Sequence, residues 1–419
     1  LLSRGLGDVY KRQAFSYSRK LEKQKLDSFE SHLITGIFYL KKSNLILAKK
    51  YFLKAKNRNS QFVLNNYVSH SLHNWSNLSK IDINSSFIEL KKLDKRFENL
   101  KKIQNVFLNC YYNSSNTKNL YLELILNKKT DFSRYNYFYA SYTNSSGKIN
   151  EAKNIVQSAL KLYPRNLLLN QYKIDLKEEK KINAFDCRKE SHVIAEILYI
   201  TANASSQESI YSLSNFYLNL AKYLNEDFHS FNTLMAENFY KIDNLEKAKK
   251  IYKSLGKRGE AYNWYSAKQT ARILIQEKKK NKAIKLVRNT YNDLNNKNIY
   301  QTYDFAEFLK NNEKFDESIN YYTQIINNVN KKHPLYSEVT DGRGIAYERI
   351  GKWSEAEKDL LASLKANPNQ AYVINYLAYS WIEQGVKIKR SLEMLEKANQ
   401  LRSNAVSYTH LRAHETRGN

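Results

Sequence analysis

GIAYERIGKWSEAEKDLLASLKANPNQ, residues 344–370, contains no His, no Cys and no Gly-rich loop, yet its small, aromatic and apolar residues are regularly placed. Counting from Gly344, Tyr347 stands at +3, Ala356 at +12, Leu360 at +16, Ser363 at +19 and Pro368 at +24. On helices of about 3.6 residues per turn these positions form two facing stripes. The spacing predicts a first helix over residues 338–350, a turn at Gly351–Glu355 and a second helix reaching about Ala366. Small residues at Gly344 and Ala356 let the two helices approach, Tyr347 and Leu360 fill the space beside them, and Pro368 ends the second helix.

The pattern recurs along the chain. In the C-terminal half, first-helix small residues are Ala236, Ala271, Ala306, Gly344 and Ala378, and second-helix ones are Ala248, Ala283, Ser318, Ala356 and Ser391. The second set is spaced 35, 35, 38 and 35 residues apart, and Ala398 continues the last helix. In the N-terminal half, one copy holds Gly36, Ala48 and Phe52, and another holds Ala152, Val156, Ala159 and Pro164. From Ser69 to Phe132 the apolar period stays helical but the repeat decays, and Asn203–Leu224 reads as a further divergent pair.

This order of Gly or Ala, Tyr, Ala, Leu and Pro resembles the tetratricopeptide repeat, a helix–turn–helix of about 34 residues. The segment that ends in NYLAYSW, residues 375–381, is similar to exported or lipoprotein-type tetratricopeptide proteins of proteobacteria. The resemblance covers most of residues 27–404. It implies an all-α, right-handed α-solenoid of stacked antiparallel helix pairs, binding a protein or peptide in a concave groove, and located in the periplasm or at the envelope. A cytoplasmic location stays open.

Composition agrees with helices. Gly (11) and Pro (3) are scarce in 419 residues, whereas sheets use both at their turns. With 42% apolar and 13% aromatic residues the chain can bury a core. The net charge of +27 fits either an anionic partner or a Lys- and Asn-rich composition, since the basic residues are spread along the chain among Glu and Asp. Cys110 and Cys187 stand far apart, without a C-x-x-C, and read as two buried thiols. No metal or cofactor is called, and no apolar run reaches the roughly 18 residues of a membrane span.

Residues 1–13 and 406–419 lack the Lys/Asn style of the rest and hold three of the eleven glycines. They look like translated adapter sequence and are set aside. His410, His414 and Glu415, which carry a metal-like spacing, go with them, and any leader lies outside view. The expected organisation is therefore a repeat over 14–68, a divergent segment over 69–132, a repeat with linker over 133–204, and a C-terminal array over 205–404, followed by the set-aside 405–419.

On each first helix, positions −6, −3, +1 and +4 from the small residue fall opposite the packed stripe. They give Tyr265, Lys268 and Arg272, then Tyr300, Tyr303 and Glu307, then Asp341, then Asn375 and Tyr379, as candidate groove residues. Aromatics supply area and the polar groups orientation, as peptide-binding surfaces require. The leading function is a non-catalytic scaffold or adaptor that binds protein, with self-association also open. Two other readings stand beside it: a basic nucleic-acid or anionic-surface binder, and the regulatory arm of a longer enzyme. No nucleophile elbow, Walker loop or H-E-x-x-H occurs. The packing reading is tested at Gly344: Gly344→Leu overpacks the pair and lowers stability by about 1–3 kcal/mol. An unchanged melting temperature removes Gly344 from the interhelix contact.

Overall fold

The computed structural model describes residues 2–58, 63–127, 129–180 and 184–403, with side chains from Arg12 to Leu401. Within them the chain is all-α, and helices consecutive in sequence pack on one another in pairs. It divides into two compact units, Leu1–Ser266 and Ala267–Asn419.

The first unit opens with α1 (Leu2–Lys23), α2 (Phe29–Lys41), α3 (Leu45–Asn57) and α4 (Val63–Trp75). It continues through α5 (Ile83–Lys91), α6 (Glu98–Tyr111), α7 (Thr117–Ile125), α8 (Tyr135–Ser145), α9 (Ile149–Leu162) and α10 (Leu167–Lys177). It closes with α11 (Glu190–Gln207), α12 (Tyr211–Leu224), α13 (Ser230–Lys241), α14 (Leu245–Leu255) and the start of α15 (Glu260–Gln276). The second unit holds the rest of α15, then α16 (Lys280–Asn292), α17 (Ile299–Asn311), α18 (Phe315–Asn328), α19 (Tyr336–Arg349), α20 (Trp353–Ala366), α21 (Ala371–Glu383) and α22 (Ile388–Ser403).

The segment at 344–370 folds as its spacing requires. α19 packs on α20, and Ala356, Leu360 and Ser363 are buried. The turn is shorter than read: α19 ends at Arg349 and α20 begins at Trp353, leaving Ile350, Gly351 and Lys352 to reverse the chain. A Cβ at Gly344 would lie 3.0 Å from Leu360 Cγ and 3.2 Å from the Ala356 carbonyl, so the absent side chain sets the helix separation. Gly36 does the same for α2 and α3, where a Cβ would lie 2.5 Å from the Phe52 ring. The small positions Ala48, Ala152, Ala236, Ala248, Ala271, Ala283, Ala306, Ser318, Ala378 and Ala398 are fully buried. Pro164 and Pro368 follow the ends of α9 and α20, and Tyr347 is half-buried under the Arg343 guanidinium, 5.7 Å from its ring.

A second regularity lies in the turns. Ser43, Ser209, Asp243, Lys278, Glu313 and Gly351, each between the first and second helix of a pair, have φ between 57° and 78°. The next amide bonds back over the left-handed residue in a Schellman closure: Asn44 to the Tyr39 carbonyl at 2.9 Å, Asn244 to Phe239 at 2.8 Å, Lys279 to Leu274 at 2.7 Å, Lys314 to Leu309 at 2.9 Å. Asn44 and Asn244 then cap the second helix through their side chains, at 3.1 and 3.3 Å.

The first unit departs from a simple stack, in which each repeat touches only its neighbours. α4 packs on α11 and α2 on α12, bringing helices far apart in sequence together. Tyr217 Oη on α12 also donates to Asn65 Oδ1 on α4 at 2.9 Å. One apolar core runs from Phe29 to Met235. The pair read from Asn203 is α11–α12, and it begins earlier, at Glu190. The two cysteines correct the sequence reading: both are buried, but they are joined in a disulfide, their Cα atoms 6.0 Å apart. Seventy-seven residues separate them, so spacing gave no sign of the pairing. Residues 2–13, set aside above, continue α1 as helix. Residues 406–419, with His410, His414 and Glu415, lie outside the described residues.

A left-handed backbone costs a residue with a Cβ about 1–2 kcal/mol, and glycine removes most of it. Lys278→Gly therefore stabilises the chain by up to about 1 kcal/mol after the added unfolded-state entropy is subtracted. A lower melting temperature would show that the Lys278 side chain holds the turn.

Candidate functional site

The candidate surface belongs to the first helices of the pairs. In the second unit these are α15 from Ala267, then α17, α19 and α21. Side chains tie them edge to edge. Lys268 on α15 forms an ion pair with Asp304 on α17. Glu307 on α17 accepts from the Tyr322 hydroxyl of α18 and from Lys310 Nζ at 2.8 Å. Glu348 on α19 accepts from Tyr376 Oη of α21 at 2.6 Å. Where α17 and α19 meet, Gly342 leaves no room: a Cβ there would lie 2.8 Å from Tyr322 Cζ and 2.9 Å from Glu307 Oε1.

These contacts set the electrostatics of the face. Burial raises the Tyr322 phenol well above its usual range, and the Glu307 and Asp341 carboxylates push it further the same way. It therefore stays protonated and donates. Tyr376 is raised by burial and then by its bond to Glu348. The protonated tyrosine hydroxyls thus fix the Glu307 and Glu348 carboxylates in place as hydrogen-bond acceptors.

The candidates read from sequence fall into distinct places. Tyr300 and Tyr303 are half-buried on α17, with ring centroids 6.2 Å from His333 and 6.4 Å from Tyr322. Glu307 joins Tyr322 and Lys310. Asp341 is half-buried on α19 and close enough to Tyr322 to act on its phenol. Asn375 is half-buried and Tyr379 is 56% exposed, both on α21. Arg272 is exposed on α15. Tyr265 belongs to the first unit, where its hydroxyl and that of Tyr252 both reach Glu237 Oε1, at 3.1 and 2.6 Å. The charge of Lys268 is offset by Asp304, which the spacing rule did not select.

Sequence reasoning also missed Tyr322, Gly342 and Tyr376. For Tyr322 a signal exists in the chain. Where the second helix carries Tyr four residues after its small position (Tyr252, Tyr322), the first helix carries Glu directly after its own (Glu237, Glu307). Where that position is Val287 or Leu360, the first helix has Arg272 or Ile345 instead.

Among the described residues no group of His, Cys, Asp and Glu has the arrangement of a metal site, and no helix is long and apolar enough to cross a membrane. The chain matches no family model, and no curated protein matches it. Solved structures with similar helical arrays include YrrB, described as a TPR protein with an unusual peptide-binding site, at 13% identity and a TM-score of 0.31 over 43% of this chain and 90% of that one. The APC/C hetero-tetramer Cut9–Hcn1 gives 14% identity and a TM-score of 0.37 over 91% and 75%. MamA from Desulfovibrio magneticus RS-1 gives 10% and 0.27 over 51% and 97%. None of these likenesses bears on what this chain binds.

The crowding at Gly342 is directly testable. Gly342→Ala displaces Tyr322 from Glu307 and destabilises by about 1–3 kcal/mol despite the better helix propensity of alanine. Tyr322→Leu in the same chain recovers part of the loss. A Gly342→Ala protein that melts at or above the wild-type temperature would place the contact elsewhere.

Proposed function

We propose that the chain is a non-catalytic scaffold that binds a protein or peptide segment on the first-helix face of its second unit. The observation that carries this reading is the tyrosine-rich, charge-paired character of that face. Tyr300, Tyr303, Tyr372 and Tyr379 offer broad rings with few rotatable bonds, and Tyr372 and Tyr379 are 42% and 56% exposed. Such rings bury large area at a small entropic cost. The carboxylates and amines between them are held by neighbours, so a bound segment meets a pre-formed surface and little ordering is required of it.

The nucleic-acid reading rests on the charge of +27. In the first unit one basic stretch is α14 and the turn after it, where Lys247, Lys250, Lys253, Lys257 and Arg258 are exposed. These residues are not on the tyrosine face, so one experiment separates the readings.

Residues 14–402 serve as bait in bacterial lysate at low and moderate salt, with nuclease present, alongside Tyr303→Ala/Tyr379→Ala and Lys268→Glu/Arg272→Glu variants. The scaffold reading expects a discrete protein retained by the wild type at both salts. The tyrosine variant then loses at least about 2 kcal/mol of binding, roughly 30-fold in affinity, as central aromatic anchors do. Retained material that disappears with nuclease, or whose affinity falls steeply with salt, points to phosphate contacts and overturns it.

A further inference from the structure

The disulfide in the first unit bears on how this chain folds. Cys110 lies in the last turn of α6, and Cys187 in the segment that leads into α11. Their Cα separation of 6.0 Å is an ordinary one for a bonded pair. Both residues are nearly inaccessible, at 1% and 3% exposure. Aromatic rings crowd the site: Phe107, one turn before Cys110, is 5.2 Å from Phe185, and Phe185 is 4.4 Å from Phe138.

The segment around Cys187 is fastened on both sides of the bond. The Ala184 carbonyl accepts from Asn225 Nδ2 at 2.8 Å, and the Phe185 carbonyl from Ser141 Oγ at 3.3 Å. Arg188 Nε donates to Asn113 Oδ1 at 3.1 Å, and Tyr111 Oη to Glu190 Oε1 at 2.7 Å. No oxidant reaches sulfurs enclosed in this way, so the bond forms before the segment has closed over α6. The protein also holds no third cysteine to exchange with.

We infer that Cys110 and Cys187 are oxidised during folding by a thiol–disulfide exchange carrier in an oxidising compartment, and that the bond is a permanent clamp on the loop carrying α7 to α10. The chemistry balances as a simple exchange. One cysteine thiolate attacks a sulfur of the carrier's disulfide and forms a mixed disulfide. The second thiolate displaces the carrier, which leaves with both its sulfurs reduced and takes up the two protons that the cysteines gave. In a reducing cytosol the same pair stays as thiols. The inference does not depend on what the second unit binds.

The test uses the full chain made by two routes, exported into an oxidising compartment and retained in a reducing cytosol. Each product is denatured in iodoacetamide without reductant, and its intact mass is measured. The exported chain takes up no carbamidomethyl groups, and its digest contains one peptide pair joining Cys110 to Cys187. In its folded state it resists millimolar dithiothreitol, and it becomes reducible on denaturation. Its melting temperature exceeds that of the Cys110→Ser/Cys187→Ser protein by roughly 5–10 °C, the range expected for a loop of this length. Two carbamidomethyl groups on the exported chain would overturn the inference, with no need for the variant to fold. So would rapid reduction of the folded protein, or equal melting temperatures of the oxidised and serine proteins.

Discussion

Everything in the repeats depends on two helix backbones touching where one residue has almost no side chain. At Gly344 the contact is with Leu360 and the Ala356 carbonyl, and at Gly36 with the Phe52 ring. Once that distance is set, one facing position must be small and its neighbour large, which is why buried Ala or Ser in one helix accompanies Phe, Tyr, Leu or Val one turn later. The turn follows from the same constraint. Helices packed this closely leave three residues for the reversal, as at 42–44, 242–244, 277–279, 312–314 and 350–352, and a left-handed residue with a Schellman closure makes it. Ser43, Asp243, Lys278 and Glu313 accept that backbone strain although none is glycine. Pair packing is therefore worth more to the fold than the local preference of those residues.

Close packing of like pairs does not explain the first unit. There a bidentate ion pair, Arg134 with Glu196, lies inside the molecule, with contacts of 2.7 and 2.8 Å. The guanidinium also bonds Ser230 at 2.7 Å and lies 3.9 Å from the Tyr199 ring centroid. Taking two charges out of water is expensive, and a buried pair returns that cost only when nearly every donor and acceptor is used. Here α8, α11 and α13 are fixed relative to one another by a single side chain. The disulfide adds a second fixed point between α6 and the lead into α11. The divergent helices thus rely on specific polar and covalent ties where the regular repeats rely on repetition.

This difference explains what the sequence made legible. A period of about 35 residues is a local signal seen several times over, so the helix pairs, their turns and their buried positions could be read from it. The contact of α4 with α11, the bond between Cys110 and Cys187 and the Arg134–Glu196 pair each occur once and join distant segments. No periodicity encodes them. For the candidate face, spacing named positions on each first helix. It could not tell that Lys268 meets Asp304 or that Glu307 is held by Tyr322, because those partners come from the neighbouring helix. The coupling of Tyr252 with Glu237 and of Tyr322 with Glu307 is the exception, since it repeats within the chain.

That pairing also bears on the net charge. A chain of +27 attracts anions over its whole surface, but long-range attraction fades within a Debye length, about 8 Å at physiological salt. Selectivity has to come from groups at contact distance. On the tyrosine face Lys268, Lys310, Glu307 and Glu348 are held in hydrogen bonds and ion pairs by fixed neighbours. A ligand that competes for Lys268 must displace Asp304, and one that competes for Glu307 must displace a phenol that burial keeps protonated. Nonspecific polyanions gain little from such exchanges, whereas a segment that covers the rings without breaking the pairs loses nothing. On the scaffold reading proposed above, the basic surface would govern how fast partners arrive and the paired aromatic face which of them stays.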